Sequence, residues 1–497
     1  LTDPFFNMYV NQLPAAKEAA MQRWGVEGAY FLEAGPFDGP VVLPEKIAQE
    51  YQDVYLGRKT IHDLSPAAVA LGQYEAVLTQ FADGNSVRGE AGRYSYVSHM
   101  ASSGSELAAQ AWWRYRYTGD RQWLRTHAYP LLRETVEFYR GLAEKGSDGR
   151  YHIWGTNQHE VFWGVNDGQV DLAAIRGTVP LAMRAAAILD LDLNLRTKWQ
   201  EFLENLTPYT MGSDPESQSL EAGVLAEDVW SVGHLGEVQG QRHLIGTVLE
   251  WPVFPFEDWT LETRHPEIDR IVHKIAELNP TRIAIREGGQ FNTTVRSPIS
   301  GVRMGRGEEL PLIMASYYQQ GFAPLPNGFS NFEGPTAHSI EHLGILGTVL
   351  QESLLQSVSA RPGEPEVIRV FPAWPRQWQA SFRLLARGGF LVSASLHNGE
   401  VSFVELQSRR GETCRLRNPW GEACVVTQVD GPSQILEGEL LQFDTVAGQR
   451  YRVFPQGAPP PAARLVQAQP TGRPWSYATT LPGGKQVSAT VGIPGAK

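Results

Sequence analysis

Two cysteines, Cys414 and Cys424, are all that 497 residues contain. That scarcity excludes a cysteine-built metal centre and a disulfide-dense scaffold; the pair fits one disulfide or two thiols. Basic charge is also short. Against 54 acidic side chains stand 43 basic ones, giving a net charge of -11 without basic runs, which argues against nucleic acid and anionic membranes as partners. No run of about 18 apolar residues occurs, so no membrane span is expected. The chain has no P-loop, no G-x-G-x-x-G after a strand, no HExxH and no G-x-S-x-G, so nucleotide, zinc-protease and nucleophile-elbow chemistry lack their usual supports. No cofactor and no metal are expected.

What is present is length and rings. A chain this long exceeds one compact core and calls for two or more domains or one large toroid. Trp 14, Tyr 17 and Phe 20 suit both cores and flat sugar faces. Residue 1 is Leu, and "LTDPFFNMYV" reads as mid-helix rather than as a leader, so the chain is expected to be cut from a longer precursor.

Residues 1–358 read mainly as helices joined by polar loops. "PAAKEAAMQRW", "SPAAVALGQYEAVLTQFA", "SELAAQAWWRYRYTGD", "RQWLRTHAYPLLRETVEFYRGLAEK", "DLAAIRGTVPLAMRAAAILDL" and "TRIAIREGGQ" carry apolar residues at three- and four-residue spacing. The same periodicity returns from Gly347 to Ser357. Helix, loop and helix repeated without strands suggest a helical toroid. From about Pro362 the pattern alternates in "EVIRVFPAWP", "FRLLARGGFLVSASLHNGEVSFVELQS" and "LLQFDTVAGQRYRVFP", with "HNGE" as a hairpin turn. The predicted class is mainly α: a toroid over 1–358, an antiparallel β-sandwich-like domain over 359–456, and a Pro/Gly/Ala-rich extended tail over 457–497.

Three stretches carry candidate chemistry. In "HIWGTNQHEVFWGVNDGQVDL" Glu160 sits among rings and amides with few aliphatic neighbours. Beside Trp154, Phe162 and Trp163 its carboxyl would be partly desolvated and its pKa raised, as a general acid needs. The plainer alternative is a helix cap, a role Asp171 fits better as the N-cap before "LAAIR". In "NGFSNFEGPTAHSIEHLGILGTVLQESLLQS", Glu333 and Glu341 flank His338. Two loop carboxylates in a cleft suit an inverting glycosidase, with water between acid and base; two solvated acids are the alternative. In "GQRHLIGTVLEWPVFP", Arg242 and His243 lie inside an apolar run and need partners: sugar hydroxyls or a structural acid. Arg303 and Arg306 are expected to be solvated.

These segments, in this order, resemble glycoside hydrolase family 95, the inverting 1,2-α-L-fucosidases and α-L-galactosidases. "SGSELAAQAWWRYRYTGDRQWLRTHAYPLLRETVEFY" is similar to a family helix running into a Tyr-Thr-Gly-Asp turn. "NQHEVFWGVNDGQVDLAAIRG" is similar to the loop that carries the family's general acid, which puts Glu160 in that role. "RHLIGTVLEWP" resembles the Arg-His-Leu-Ser-His segment, with Gly246 replacing the second His. "EHLGILGTVLQESLLQS" aligns Glu341 with the family's Asp. "RLLARGGFLVSASLHNGEVSFVELQS" resembles the C-terminal β-domain.

The resemblance implies an (α/α)6 toroid followed by a β-domain, and an inverting exo-glycosidase acting on a terminal sugar of α-L-fucose or α-L-galactose type, in an oligosaccharide or polysaccharide. Glu160 would be the acid and Glu341 the carboxylate that assists water. Asn157, Trp163, Arg242, His243, His338 and Glu33 would bind the sugar. The family's water-positioning Asn pair would fall before Leu1, since Asn7 and Asn11 are not in its place, and its N-terminal β-domain is not matched here. A secreted or periplasmic location follows from the same resemblance. Two rival readings remain: a sugar-binding relative that has lost hydrolysis, for which Glu341 and Gly246 are the motive, and a helical-toroid polysaccharide lyase.

Overall fold

The computed structural model describes residues 3–33, 38–74, 94, 98–159, 162–214, 217, 225–234, 237–238, 245–288, 295–319, 340–458, 475–480 and 486–491. They divide into two compact units. One comprises Leu1–Tyr115, Asp120–Asp258 and Pro266–Ile275; the other comprises Arg116–Gly119, Trp259–His265 and Ala276–Lys497.

The first unit is helical where the three- and four-residue spacing predicted it. Asp120 ends the "YTGD" turn by accepting a hydrogen bond from the Trp123 backbone N–H at 2.9 Å, an N-cap that satisfies one of the free amides of the following turn. The helix Tyr129–Leu142 then buries Leu131, Leu132, Thr135, Val136, Phe138 and Tyr139 along one stripe, with Pro130 in its first turn where a missing N–H costs nothing. Gly28, at φ +96°, lies against this stripe so closely that a Cβ would come within 2.1 Å of the Phe138 nitrogen. The helix Gln169–Leu189 is apolar on nearly all sides because nearly all sides are covered. By length and composition this helix is apolar enough to cross a membrane, unlike any stretch foreseen in the sequence, but 67% of its most apolar window is buried inside the chain.

The expectation of helices without strands does not hold here. Glu144–Lys145 pairs with Tyr151–His152, and Thr156–Gln158, Phe162–Val165 and Glu237–Val238 form a three-stranded sheet. These strands are too short to register as alternation.

In the second unit the helices Pro280–Glu287, Ser297–Arg303, Leu310–Gln319 and Glu341–Leu354 precede the sheets. Arg303 and Arg306, expected in solvent, are instead tied down. Arg303 is buried and reaches Glu352 at 2.8 Å, and Arg306 pairs with Glu277 and Glu309 at 2.6 and 2.7 Å. The last helix ends at Leu354 rather than at Ser357. Leu355–Val358 is buried on both faces and pairs antiparallel with Val367–Val370, so ladder pairing overrides the helical spacing of "LLQS".

The β-domain is two sheets closed on one core. The four-stranded sheet runs in the order Leu440–Phe443, Cys414–Arg417, Val367–Val370, Leu355–Val358. The six-stranded sheet runs Ser433–Leu436, Cys424–Gln428, Arg450–Pro455, Glu400–Ser408, Phe390–His397, Ala380–Ala386. Ile368, Val370, Leu416 and Leu441 from the first meet Val392, Val404, Leu406, Val426 and Val453 from the second. One pair departs from the antiparallel expectation: Cys414–Arg417 runs parallel to Val367–Val370. The "HNGE" turn is as read, with His397 paired to Glu400 and Asn398 and Gly399 both at positive φ, as a two-residue hairpin of that twist requires. Within the tail, the strands Trp475–Thr480 and Gln486–Val491 pair antiparallel.

Helices up to Leu354 followed by a two-sheet domain from Leu355 give the succession that a helical toroid with a C-terminal β-domain requires.

Candidate active site

The run around Glu160 is a hairpin buried on both faces. Thr156 pairs with Val165 and Gln158 with Phe162, so the second strand holds one residue more than the first. That extra residue is a bulge, taken up at Gly164 with φ +66°. Only glycine fits there: a Cβ would stand 2.8 Å from the Tyr94 ring. Phe162 and Trp163 have no exposed surface, each contributing roughly 1.5–3 kcal/mol by burial. Glu160 itself lies outside the described residues, in the connection between the paired Gln158 and Phe162.

Side chains on both faces of the first strand are bonded inward. On one face Asn157 donates from Nδ2 to the Ser98 carbonyl at 2.6 Å and accepts from the Gly164 N–H at 3.3 Å, while its own N–H donates to the His99 carbonyl at 2.9 Å. His99 sits at φ +59° and stacks on Tyr55 with ring centroids 4.3 Å apart. On the other face Thr156 and Gln158 both donate to the carboxylate of Asp171, Thr156 at 2.6 Å, and Tyr139 donates to its other oxygen at 2.6 Å. Gln158 Oε1 in turn accepts from the Val170 N–H at 2.7 Å. Burial raises the Asp171 carboxyl above its ordinary value, and the three donors oppose that rise. His159, the last described residue before Glu160, is again left-handed at φ +61°. Non-glycine residues held there cost of order 1–3 kcal/mol and cluster at functional sites.

Several expectations change here. Asp171 is not an N-cap: the helix is preceded by Gly168, and Asp171 lies in its first turn, where its side chain points into the hairpin's hydrogen bonds instead. Trp154 does not share the buried surroundings of Phe162 and Trp163. It lies at the hairpin's other end, 43% exposed and stacked on His152 at 5.3 Å. Behind it, His152 Nδ1 meets Asp167 Oδ2 at 2.7 Å and Nε2 meets Asp148 Oδ1 at 3.2 Å. Burial pulls the His152 pKa down, but the two carboxylates outweigh it and the net direction is up. Trp163 and Asn157, expected to touch sugar, are both buried.

Of the remaining candidates, Glu33 is exposed after the buried Tyr30 and Phe31 in the first unit. Glu341 is exposed and opens the helix Glu341–Leu354 in the second, where the helix dipole favours a carboxylate. His342 beside it is buried, which lowers its pKa. Gly246 lies in the short helix Ile245–Leu249. Arg242, His243, Glu333 and His338 fall outside the described residues. Among the described residues no cluster of three or more His, Cys, Asp or Glu is placed to hold a metal ion.

The described residues thus comprise a largely helical part, a doubly anchored hairpin leading up to Glu160 and a two-sheet C-terminal domain. Two segments of the chain match models of glycoside hydrolase family 95. Residues 85–221 match the model of the family's catalytic domain and residues 363–453 that of its C-terminal domain. The first match contains the whole Glu160 hairpin, Asp171, Tyr139 and His99, but not Arg242, His243 or Glu341. A kojibiose hydrolase of Flavobacterium johnsoniae is 40% identical over 48 residues, 10% of this chain and 7% of that one. A human-microbiome protein named as a kojibiose phosphorylase has a TM-score of 0.46 at 10% identity, over 88% of this chain and 50% of that one. The α-L-rhamnosidase of Streptomyces avermitilis, solved with L-rhamnose, has a TM-score of 0.35 at 15% identity, over 69% of this chain and 32% of that one. The chain thus spans half or less of each of these proteins.

Proposed function

We propose that the protein is an inverting exo-glycosidase that releases a terminal sugar from an oligosaccharide or polysaccharide. Glu160 donates its proton to the glycosidic oxygen as the bond to the anomeric carbon breaks. A water oxygen attacks that carbon from the opposite side and gives up a proton to a carboxylate, a role assigned to Glu341, so the product anomer is inverted. The observation that supports this reading most is the double anchoring of the strand entering the Glu160 turn, within the segment matching the family's catalytic domain. A general acid needs such a fixed approach to one oxygen. Asn157 and Trp163 are given the role of holding the turn rather than touching the sugar, in keeping with their burial. Arg242, His243, His338 and Glu33 keep their proposed sugar-binding roles.

The proposed sugar is α-L-fucose or α-L-galactose-like. A second reading, an α-linked glucose disaccharide such as kojibiose, is favoured by the 40% identity to the Flavobacterium johnsoniae hydrolase. A panel of both sugar types decides between them. On the active one, Glu160→Gln is expected to lower turnover with a poor leaving group by roughly 10²–10⁴-fold, and fresh product followed by NMR is expected as the inverted anomer. Wild-type turnover in the variant would overturn the acid assignment, and a retained anomer would overturn the inverting mechanism.

A further inference from the structure

Asp171 is a carboxylate with no exposed surface in the first turn of the mostly buried helix Gln169–Leu189. A buried carboxylate is costly unless donors surround it. Here the donors come from two different elements. Tyr139 belongs to the helix Tyr129–Leu142, whereas Thr156 and Gln158 are the two same-face residues of the strand that ends just before His159. Gln158 is locked further, because its Nε2 also donates to Thr156 Oγ1 at 3.1 Å and its Oε1 holds the Val170 N–H. Gly168 leaves room for it: a Cβ there would stand 2.1 Å from the Gln158 Cδ. The carboxylate therefore ties the strand, which ends two residues before Glu160, to two helices.

We propose that Asp171 is a positioning residue for the general acid. It fixes the strand Thr156–Gln158, and through that strand the direction in which the following turn offers its proton. This rests on the reading of Glu160 as the acid. A residue serving the fold alone would, when altered, slow every substrate alike. A residue that aims a proton matters most where the leaving group needs one. Misplacing a reacting group by about 1 Å costs on the order of 10²-fold.

The test compares two glycosides of the preferred sugar, one with an alkyl alcohol as leaving group and one with fluoride. Glu160→Gln serves as the reference. For Asp171→Asn, turnover of the alkyl glycoside is expected to fall about 10²-fold, with the fluoride nearly unaffected and KM for both little changed. Should Asp171→Asn fail to fold, Thr156→Val replaces it, with Thr156→Ser expected to restore the wild-type ratio because it keeps the hydroxyl. Equal losses on both substrates, or no loss on either, while Glu160→Gln remains selective for the alkyl glycoside, would overturn the positioning role and leave the acid assignment standing. If Glu160→Gln itself shows no selectivity, the acid assignment falls and the role of Asp171 with it.

Discussion

Arg282 and Glu309 form an ion pair with 0% and 1% of their side chains exposed, Nη1 to Oε2 at 2.5 Å. Arg282 also donates from Nη2 to the Ser297 carbonyl at 2.6 Å. Glu309 also accepts from Arg306, which has a further carboxylate in Glu277. Replacing Glu309 by Leu takes a counter-charge from the buried guanidinium and should cost about 3–5 kcal/mol. Replacing Arg282 by Met removes the cation and leaves Glu309 paired with Arg306. The loss is then mainly of hydrogen bonds to a charged group, about 1.5–3 kcal/mol. For a unit of roughly 150–250 residues each kcal/mol shifts the melting temperature by about 2–4 °C. Glu309→Leu is therefore expected to lower it by roughly 6–20 °C and Arg282→Met by roughly 3–12 °C, read by scanning calorimetry. The double variant should melt above Glu309→Leu, since the buried cation leaves together with its counter-charge. A Glu309→Leu melt within about 2 °C of wild type, or one above that of Arg282→Met, would refute the reasoning.

Gly164→Ala should lose roughly 1–3 kcal/mol from forcing a Cβ 2.8 Å from the Tyr94 ring and should lower activity. Gly344→Ala, on the exposed side of a helix where a Cβ meets nothing within 4 Å, should gain about 0.5–1 kcal/mol; urea denaturation measures both. His152 should titrate above the ordinary histidine value of about 6.5, read by NMR. Because its folded pKa is raised, the stability it contributes is fully present below pH ~6.5 and is lost as pH rises through the folded value. His152→Gln should flatten that part of the stability–pH curve, and an unchanged slope would exclude His152 as its source.

Legibility in the sequence followed the range of the forces involved. The β-domain was readable because several of its strands bury alternate residues, as Cys414 and Leu416 are buried while Arg415 and Arg417 are half-buried, and because Asn398-Gly399 favours one turn type. The helices up to Leu354 were readable from spacing, and the Asp120 cap from its turn. The Glu160 hairpin was not readable as a hairpin. Both its faces are buried, so no alternation betrays it, and its polar residues are paid for by partners far along the chain: Ser98 for Asn157, Tyr139 for Asp171. Asp171 was visible as an acid ahead of an apolar run, but the same letters fit a cap. Arg303 and Arg306 looked solvated because Glu352 and Glu277 are distant in sequence. The left-handed backbone of His99 and His159 left no trace in residue type, since neither is Gly, Asn or Asp.

Cys414 and Cys424 are both free and buried, one in each sheet of the β-domain. Burial pushes the Cys424 thiol up to about 11 and that of Cys414 higher still, so few thiolates exist at neutral pH to react. The sheets are joined by the apolar core and by hydrogen bonds such as Arg387 N–H to Ser357 Oγ at 3.0 Å. With no disulfide between them, the fold of this domain is indifferent to redox poise, and reductant in the buffer changes nothing that holds it together.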